Sequence, residues 1–161
     1  MRADPLTLAI EASNPSCAAG VAIGSRAGGV LGGEAVAAGD GRHDDLRSAI
    51  DRLAKRVGVG PQDIGRVAVS IGPGGYTALR IAVAAAKMMC EAVGASCVAI
   101  PTARVVARRV KVAGSFAVIL ASKDETAFAT VFSGAGAAGD EGRLIEAAGV
   151  SGLGVGTVVA D

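Results

Sequence analysis

Short stretches of alternating apolar and polar residues open the chain, and apolar residues recur at helical spacing further along. Residues 6–11, 18–24 and 30–37 each predict a short strand, and turn-forming residues separate the three. Strands joined by such short connections usually pair antiparallel with their neighbours. The first part of the chain therefore predicts a three-stranded meander.

Helical spacing begins after a polar loop. Asp44 and Asp45 suit a helix start, and Gly58 suits its end. The apolar stripe of this predicted helix consists of Leu46, Ile50, Leu53 and Val57. A buried strand is predicted next, over residues 66–71.

A second, longer helix is predicted over residues 77–93, with Gly94 as its stop. Its charges are Arg80, Lys87 and Glu91, whose spacing of seven and four residues places them on one narrow stripe. The other positions are nearly all apolar. We therefore expect this helix to be covered on most sides, by its own sheet and by a second polypeptide, although cover by the chain's own sheet and neighbouring helices is the alternative.

The remaining pattern predicts a strand over 96–100, a helix over 102–110, a hairpin of 116–121 with 126–133, and short strands within 143–145 and 154–159. The order βββαβαβα indicates an α/β fold with a mixed sheet flanked by helices, as in ribonuclease H-like and actin-like half-molecules. A boundary near Pro101 predicts an N-terminal domain of residues 1–100 and a shortened, incomplete second lobe of residues 101–161.

Charge and cysteine content narrow the function classes. The 161 residues contain 16 basic and 15 acidic side chains, a net charge of +1, so direct binding to nucleic acid is not expected. A cluster of basic residues lacks aromatic neighbours for base stacking and is interpreted as a solvated helix face. The cluster consists of Arg104, Arg108, Arg109 and Lys111.

Three widely spaced cysteines indicate neither a disulfide framework nor a zinc site, because no Cys-x-x-Cys pair occurs. The sequence shows no signal-peptide core and no apolar run long enough to cross a bilayer. We therefore expect a soluble cytoplasmic protein that does not contact membranes.

A glycine-rich junction between the buried strand and the second helix is the most specific local motif. Backbone N–H groups at a helix start, with the helix dipole, suit a phosphate or carboxylate. The candidate anion-binding residues are Gly72, Gly74, Gly75, Tyr76 and Thr77. A tight turn stiffened by Pro73 is the alternative, since neither a Walker lysine nor the dinucleotide fingerprint is present.

Three segments together resemble the TsaB family of bacterial threonylcarbamoyladenosine biosynthesis proteins. They are Leu8-Ala9-Ile10-Glu11-Ala12-Ser13, His43 before the first helix, and residues 72–81. At the last segment the family usually reads Gly-Pro-Gly-Ser-Phe-Thr-Gly-Leu-Arg-Ile. This chain differs there at Gly75, Tyr76 and Ala78.

The resemblance implies an actin-like fold and a non-catalytic subunit of the complex that modifies tRNA. Such a subunit docks on the catalytic subunit TsaD through its first two helices, works beside the ATPase TsaE, contacts tRNA only indirectly and can pair with itself. TsaD holds the metal and nucleotide, so no cofactor or metal of its own is expected here. The predicted partner interface consists of Leu46, Ile50, Leu53, Arg80, Ile81, Ala85, Met88 and Met89.

Departures from the family pattern leave other functions open. Glu11 stands where the family often has Asp, the hairpin signature near Ala121 and Thr126 is altered, and the chain ends before the family's C-terminal helices. A nucleotide-binding kinase or ATPase remnant would use Glu11 to hold magnesium through water. A self-associating binding module is a further alternative. A metallopeptidase, suggested by older groupings with glycoproteases, is disfavoured because His43 is the single histidine.

Overall fold

The computed structural model describes residues 4–14, 19–36, 45–121 and 125–160. The chain divides into two compact units. The first consists of Met1–Ile71 and Gly75–Ile100, and the second of Gly72–Gly74 and Pro101–Asp161. Each unit has its own sheet and its own apolar core.

The first unit holds a five-stranded mixed sheet and two helices. Its elements are β1 (Leu6–Glu11), β2 (Ala19–Ser25), β3 (Gly29–Val36), α1 (Asp45–Val57), β4 (Ile64–Ser70), α2 (Tyr76–Val93) and β5 (Ser96–Ile100), with a short 3₁₀ turn over Pro61–Asp63. The strand order is β3-β2-β1-β4-β5. Strands β1, β2 and β3 pair antiparallel, and β1, β4 and β5 pair parallel. The predicted meander and mixed sheet are therefore confirmed.

One face of this sheet carries the core. Leu8 and Ile10 of β1 alternate with less buried residues, as do Val67 and Val69 of β4, so both pairs point to the same side. Helices α1 and α2 both contribute to the single core cluster that these strand residues form. Leu53 is fully buried within it.

An ion-pair cluster fastens α1 to the edge strand β3. The Arg52 Nε donates to Glu34 at 2.7 Å, and an Arg56 nitrogen donates to the other Glu34 oxygen at 3.0 Å. Arg56 also donates to the Gly33 carbonyl at 2.8 Å. The hydrogen bond from Arg52 holds the pKa of Glu34 below its ordinary value against a smaller opposing effect of desolvation, and Arg56 acts in the same direction.

The second unit is built on a four-stranded sheet of order β8-β7-β6-β9. Its elements are α3 (Thr102–Ala107), β6 (Phe116–Ala121), β7 (Thr126–Phe132), β8 (Arg143–Glu146), a 3₁₀ helix (Ala147–Leu153) and β9 (Thr157–Ala160). Strands β6 and β7 form the predicted hairpin, and β9 pairs parallel with β6. Phe116 and Phe132 face each other across the hairpin with stacked rings, 5.1 Å between centroids.

The main differences from prediction lie at element ends. Helix α3 stops at Ala107 rather than at residue 110, because the Arg109 and Val110 N–H groups bond three residues back, to the carbonyls of Val106 and Ala107. Such bonds tighten the chain into turns and end the α-helix. Strand β4 begins at Ile64, two residues before the predicted start.

Replacing Leu53 tests the core assignment. Leu53→Ala should lower the free energy of unfolding by about 2–5 kcal/mol, because it leaves a cavity in a packed core. Met88→Ala, at an exposed position of α2, should change it by less than about 0.5 kcal/mol. Urea unfolding followed by circular dichroism measures both. Equal effects of the two substitutions would contradict the assignment.

The lowered pKa of Glu34 predicts that its contribution to the stability of the fold depends on pH. A carboxylate whose folded-state pKa is lowered stabilises the fold above its unfolded value, which is 4.5, and loses that contribution as pH falls through the folded-state value. The wild type should therefore be more stable than Glu34→Gln at pH 7, with the difference shrinking below pH about 4.5. Urea midpoints between pH 7 and pH 3 measure it. In an Arg52→Gln/Arg56→Gln background the difference should be small at every pH.

Candidate functional site

The glycine junction leaves β4 after Ser70 and ends where α2 begins. The Ile71 N–H donates to the Ile100 carbonyl at 3.0 Å, which continues the pairing of β4 with β5 for one residue. Gly72 is buried and has a φ of 98°, a conformation that residues with a side chain rarely adopt. Its carbonyl accepts from the Thr102 N–H at 3.0 Å. The alternative interpretation, a turn that requires glycine, therefore fits Gly72 well.

The start of α2 is joined by a hydrogen bond to the end of β1. The Gly75 N–H donates to the Ser13 carbonyl at 2.7 Å, so this donor is already engaged. The Glu11 carboxylate accepts from the Ser13 N–H at 2.7 Å and from the Ser13 hydroxyl. Its second oxygen is buried without a hydrogen-bond partner. A carboxylate thus lies close to the segment where the sequence predicts an anion site.

The five predicted anion-site residues have different surroundings. Gly74, Tyr76 and Thr77 are exposed, Gly72 is buried, and Gly75 has its N–H engaged. Gly72 and Gly74 fall in the second unit and the other three in the first. Anion binding at this junction stays a prediction.

The outward side of α2 carries a continuous exposed stripe. Its members, spaced four residues apart, are Tyr76, Arg80, Ala84, Met88 and Ala92, which we call the α2 stripe. Residues at this spacing are neighbours on a helix surface. Tyr76 and Met88 are 72% and 71% exposed, and the Arg80 guanidinium lies 5.2 Å from the centre of the Tyr76 ring. The stripe thus combines an aromatic ring, a cation and a flexible apolar chain with two small residues.

The predicted interface residues fall into three groups. Leu46 and Leu53 are buried in the core of the first unit, at 8% and 0% exposure, so they have little or no surface that a partner could contact. Ile50, Ile81, Ala85 and Met89 are half-buried and pack against that core. Arg80 and Met88 are exposed on the α2 stripe. The sequence interpretation placed Tyr76 only in the anion site and omitted Ala84 and Ala92, although their four-residue spacing is visible in the sequence.

Other candidate reactive groups are engaged or buried. The Ser70 hydroxyl accepts a hydrogen bond from the Ala12 N–H at 3.2 Å in the core. Burial, and secondarily Cys97, raises the pKa of the Cys90 thiol, which disfavours the reactive thiolate. His43 lies outside the described residues. Within the described ranges, no group of three or more His, Cys, Asp or Glu residues is arranged to hold a metal ion.

Of the helices in the described part of the chain, none combines the length and the apolar character needed to cross a bilayer.

One protein-family model matches most of the chain. The model of the family "TsaD: tRNA N6-adenosine threonylcarbamoyltransferase" matches residues 24–133, which is more than half of the chain. The chain therefore belongs to this tRNA-modification family. A comparison with curated proteins found no match.

Solved structures define the fold. An uncharacterized protein with similarity to peptidase YeaZ, and YeaZ itself, both from Pseudomonas aeruginosa, align with TM-scores of 0.75 and 0.73 at 17% identity. Each alignment covers 88% of this chain and 67% of the other. Component A of the (R)-2-hydroxyglutaryl-CoA dehydratase of Acidaminococcus fermentans aligns at 0.51 and 12% identity, covering 88% of this chain and 48% of its own.

These likenesses confirm the predicted α/β fold of the actin-like class. The TsaB resemblance is thus supported: the family model places the chain in the tRNA-modification family, and the chain shares the fold of YeaZ.

The conformation of Gly72 generates a prediction about the junction. Gly72→Ala should destabilise the protein by about 1–2 kcal/mol, because a Cβ is disfavoured at this positive φ. Gly74→Ala should have a much smaller effect, since Gly74 is exposed and has no left-handed φ. Urea unfolding compares the two variants, and an equal response would contradict a specific backbone role for Gly72.

Proposed function

We propose that this chain is a non-catalytic scaffold subunit of the complex that forms threonylcarbamoyladenosine on tRNA. In this role it docks on a TsaD-like catalytic subunit and activates it. Membership of the tRNA-modification family and the fold shared with YeaZ support the class of function. The exposed α2 stripe is the single observation that supports the docking role.

The composition of the α2 stripe favours a protein partner. Tyr, Arg and Met are enriched at the centres of protein interfaces, and Tyr and Arg supply many of the residues that dominate binding energy. Tyr76, Arg80 and Met88 share one exposed line, with Ala84 between the last two. The small side chain of Ala84 leaves room for a partner's backbone or ring between two larger side chains. Lys87 and Glu91 flank this line and provide a charged rim.

We assign the outer side of α1 to the border of such an interface, because its charges are already engaged. Lys55 pairs with Asp51 at 2.8 Å, and Arg52 and Arg56 are held by Glu34. Charges that are already paired and solvated contribute little to affinity but exclude wrong partners. Docking is therefore centred on α2, with α1 at the rim. This revises the sequence interpretation, which assigned apolar residues of both helices to the interface.

The non-catalytic assignment draws on the state of the candidate reactive groups. The Ser70 hydroxyl accepts from a backbone N–H, and burial raises the pKa of the Cys90 thiol, which disfavours the thiolate. Glu11 is the carboxylate that an ATPase remnant would use, but one of its oxygens is already occupied by Ser13. These contacts favour a structural use of Ser70 and Cys90 and engage one of the two Glu11 oxygens.

The complex has further proposed features. A TsaE-like ATPase acts beside the catalytic subunit, tRNA is contacted only through the complex, and the whole assembly works in the cytoplasm. A homodimer through the same α2 stripe is the second candidate function, because one exposed surface serves either partner. In that case, the stripe is occupied by a second copy when the catalytic subunit is absent.

Replacing Met88 by Asp tests docking on the α2 stripe. Met88→Asp should abolish co-purification with the TsaD-like subunit, because it places a charge at the centre of an interface that must become dry. Val30→Asp is the matched control: Val30 is 76% exposed on the edge strand β3, and the substitution should leave recovery unchanged. Pull-down from cells that express both subunits, quantified on gels, measures recovery.

A second measurement separates docking on the TsaD-like subunit from homodimer formation. Light scattering of the purified chain, alone and with the TsaD-like subunit, separates a homodimer from a heterodimer. If Met88→Asp disrupts a homodimer while the wild type never binds the TsaD-like subunit, the second candidate replaces the first. Normal recovery of the catalytic subunit with Met88→Asp would contradict the proposed surface.

A further inference from the structure

A small cavity in the second unit is lined by two arginines. Its volume is about 260 Å³. It is lined by Arg104, Ala107 and Arg108, by Phe132 at the end of β7, and by residues 136–138 of the loop that follows. None of these lining residues, all in the described part of the chain, is acidic. The sequence interpretation placed both arginines on a solvated helix face, whereas they also border a concave site.

Phe132, one of the lining residues, is tightly packed. The Phe132 ring is stacked on Phe116, 5.1 Å between centroids, and both residues are buried. Gly139 lies against the ring: a Cβ there would come within 2.6 Å of a Phe132 ring carbon, and its φ of 76° also disfavours a side chain. The ring is therefore held between an aromatic neighbour and a glycine.

Hydrogen bonds hold the loop after β7, whose residues 136–138 line the cavity. The Arg104 Nε donates to the Ala138 carbonyl at 2.9 Å, which ties the loop to α3. The Asp140 carboxylate accepts from the N–H groups of Val131 at 3.0 Å and Gly142 at 2.9 Å. The Asp140 carboxylate is thus hydrogen-bonded to backbone N–H groups at both ends of the loop. These contacts hold the loop in place, so the cavity is already formed before a ligand binds.

Within the described ranges, no acidic side chain pairs with the two arginines of the cavity. Arg104 and Arg108 lie four residues apart and so are neighbours, and no ion pair to either is found among the described residues. Arginines at the end of a helix complement its negative dipole, which accounts for the charges. Complementing the helix dipole does not explain why a cavity lies between the two arginines and the loop after β7. The Arg104 Nε bonds the loop, and among the described residues no partner of its terminal nitrogens is found, so they can still donate to a ligand.

We propose that this cavity binds a small ligand through a phosphate or carboxylate group. Paired guanidinium groups match the geometry of both anions and bind them through parallel charge-assisted hydrogen bonds. A volume of 260 Å³ lies just below the usual range for drug-sized ligands, about 300–1,000 Å³. The ligand is therefore a small anion that the two guanidinium groups hold. This proposal does not depend on the α2 stripe.

Titration of the full chain tests the proposal by nuclear magnetic resonance. Inorganic phosphate and succinate are added separately to isotope-labelled protein, and the backbone amide shifts are followed. We expect saturable shifts confined to residues 104–108 and 132–138 for at least one probe. The tighter probe identifies the anion class. Arg108→Gln should weaken that binding about tenfold, the loss expected when one charge-assisted contact is removed.

Arg109→Gln is the matched control. It removes the same charge at the next position, which is exposed and does not line the cavity, so the dissociation constant should stay unchanged. Arg104→Gln is a second variant and should also weaken binding. The amide spectrum of each variant shows whether it is folded. Absence of saturable shifts up to tens of millimolar of both probes would overturn the proposal, as would an equal loss in Arg109→Gln.

Discussion

The close packing of α1 and α2 on one face of the first sheet is the constraint on which the rest of the structure depends. Ala49, Ala82 and Ala86 are fully buried where these helices meet the sheet. Small side chains bring a helix close to the strands, so larger neighbours such as Ile81 and Met89 also reach the core. The chain itself therefore covers the inner, apolar side of α2. What remains exposed is the α2 stripe, which makes the proposed docking surface narrower than the apolar pattern alone suggests.

Much of the fold could be predicted from the sequence. Strands β1 and β5 begin and end where the pattern indicates, and α2 starts one residue before its predicted start and ends at Gly94 in the left-handed conformation. These elements carry strong local signals: alternation bounded by turns, and a glycine stop. The parallel pairing of β9 with β6 could not be found in this way, because it joins segments about 40 residues apart and depends on the whole sheet.

The candidate site was less accessible to sequence reasoning. The apolar residues of α1 and α2 were assigned to an interface because the helical pattern does not say which apolar side faces the chain's own sheet. Leu53 belongs to the core and Met88 to the surface, although both are large apolar residues on amphipathic helices. The arginine-lined cavity needed the loop after β7 to be folded back against Phe132. A contact between a loop and a strand produces no periodic pattern of residues, so it cannot be predicted from the sequence.

Oxidation of Met88 by hydrogen peroxide, followed by mass spectrometry, tests most directly whether the α2 stripe is the docking surface. In the isolated chain, exposed Met88 should oxidise faster than half-buried Met89. In complex with the TsaD-like subunit, the account predicts that the Met88 rate falls to that of a buried residue. An unchanged Met88 rate in an intact complex would contradict it.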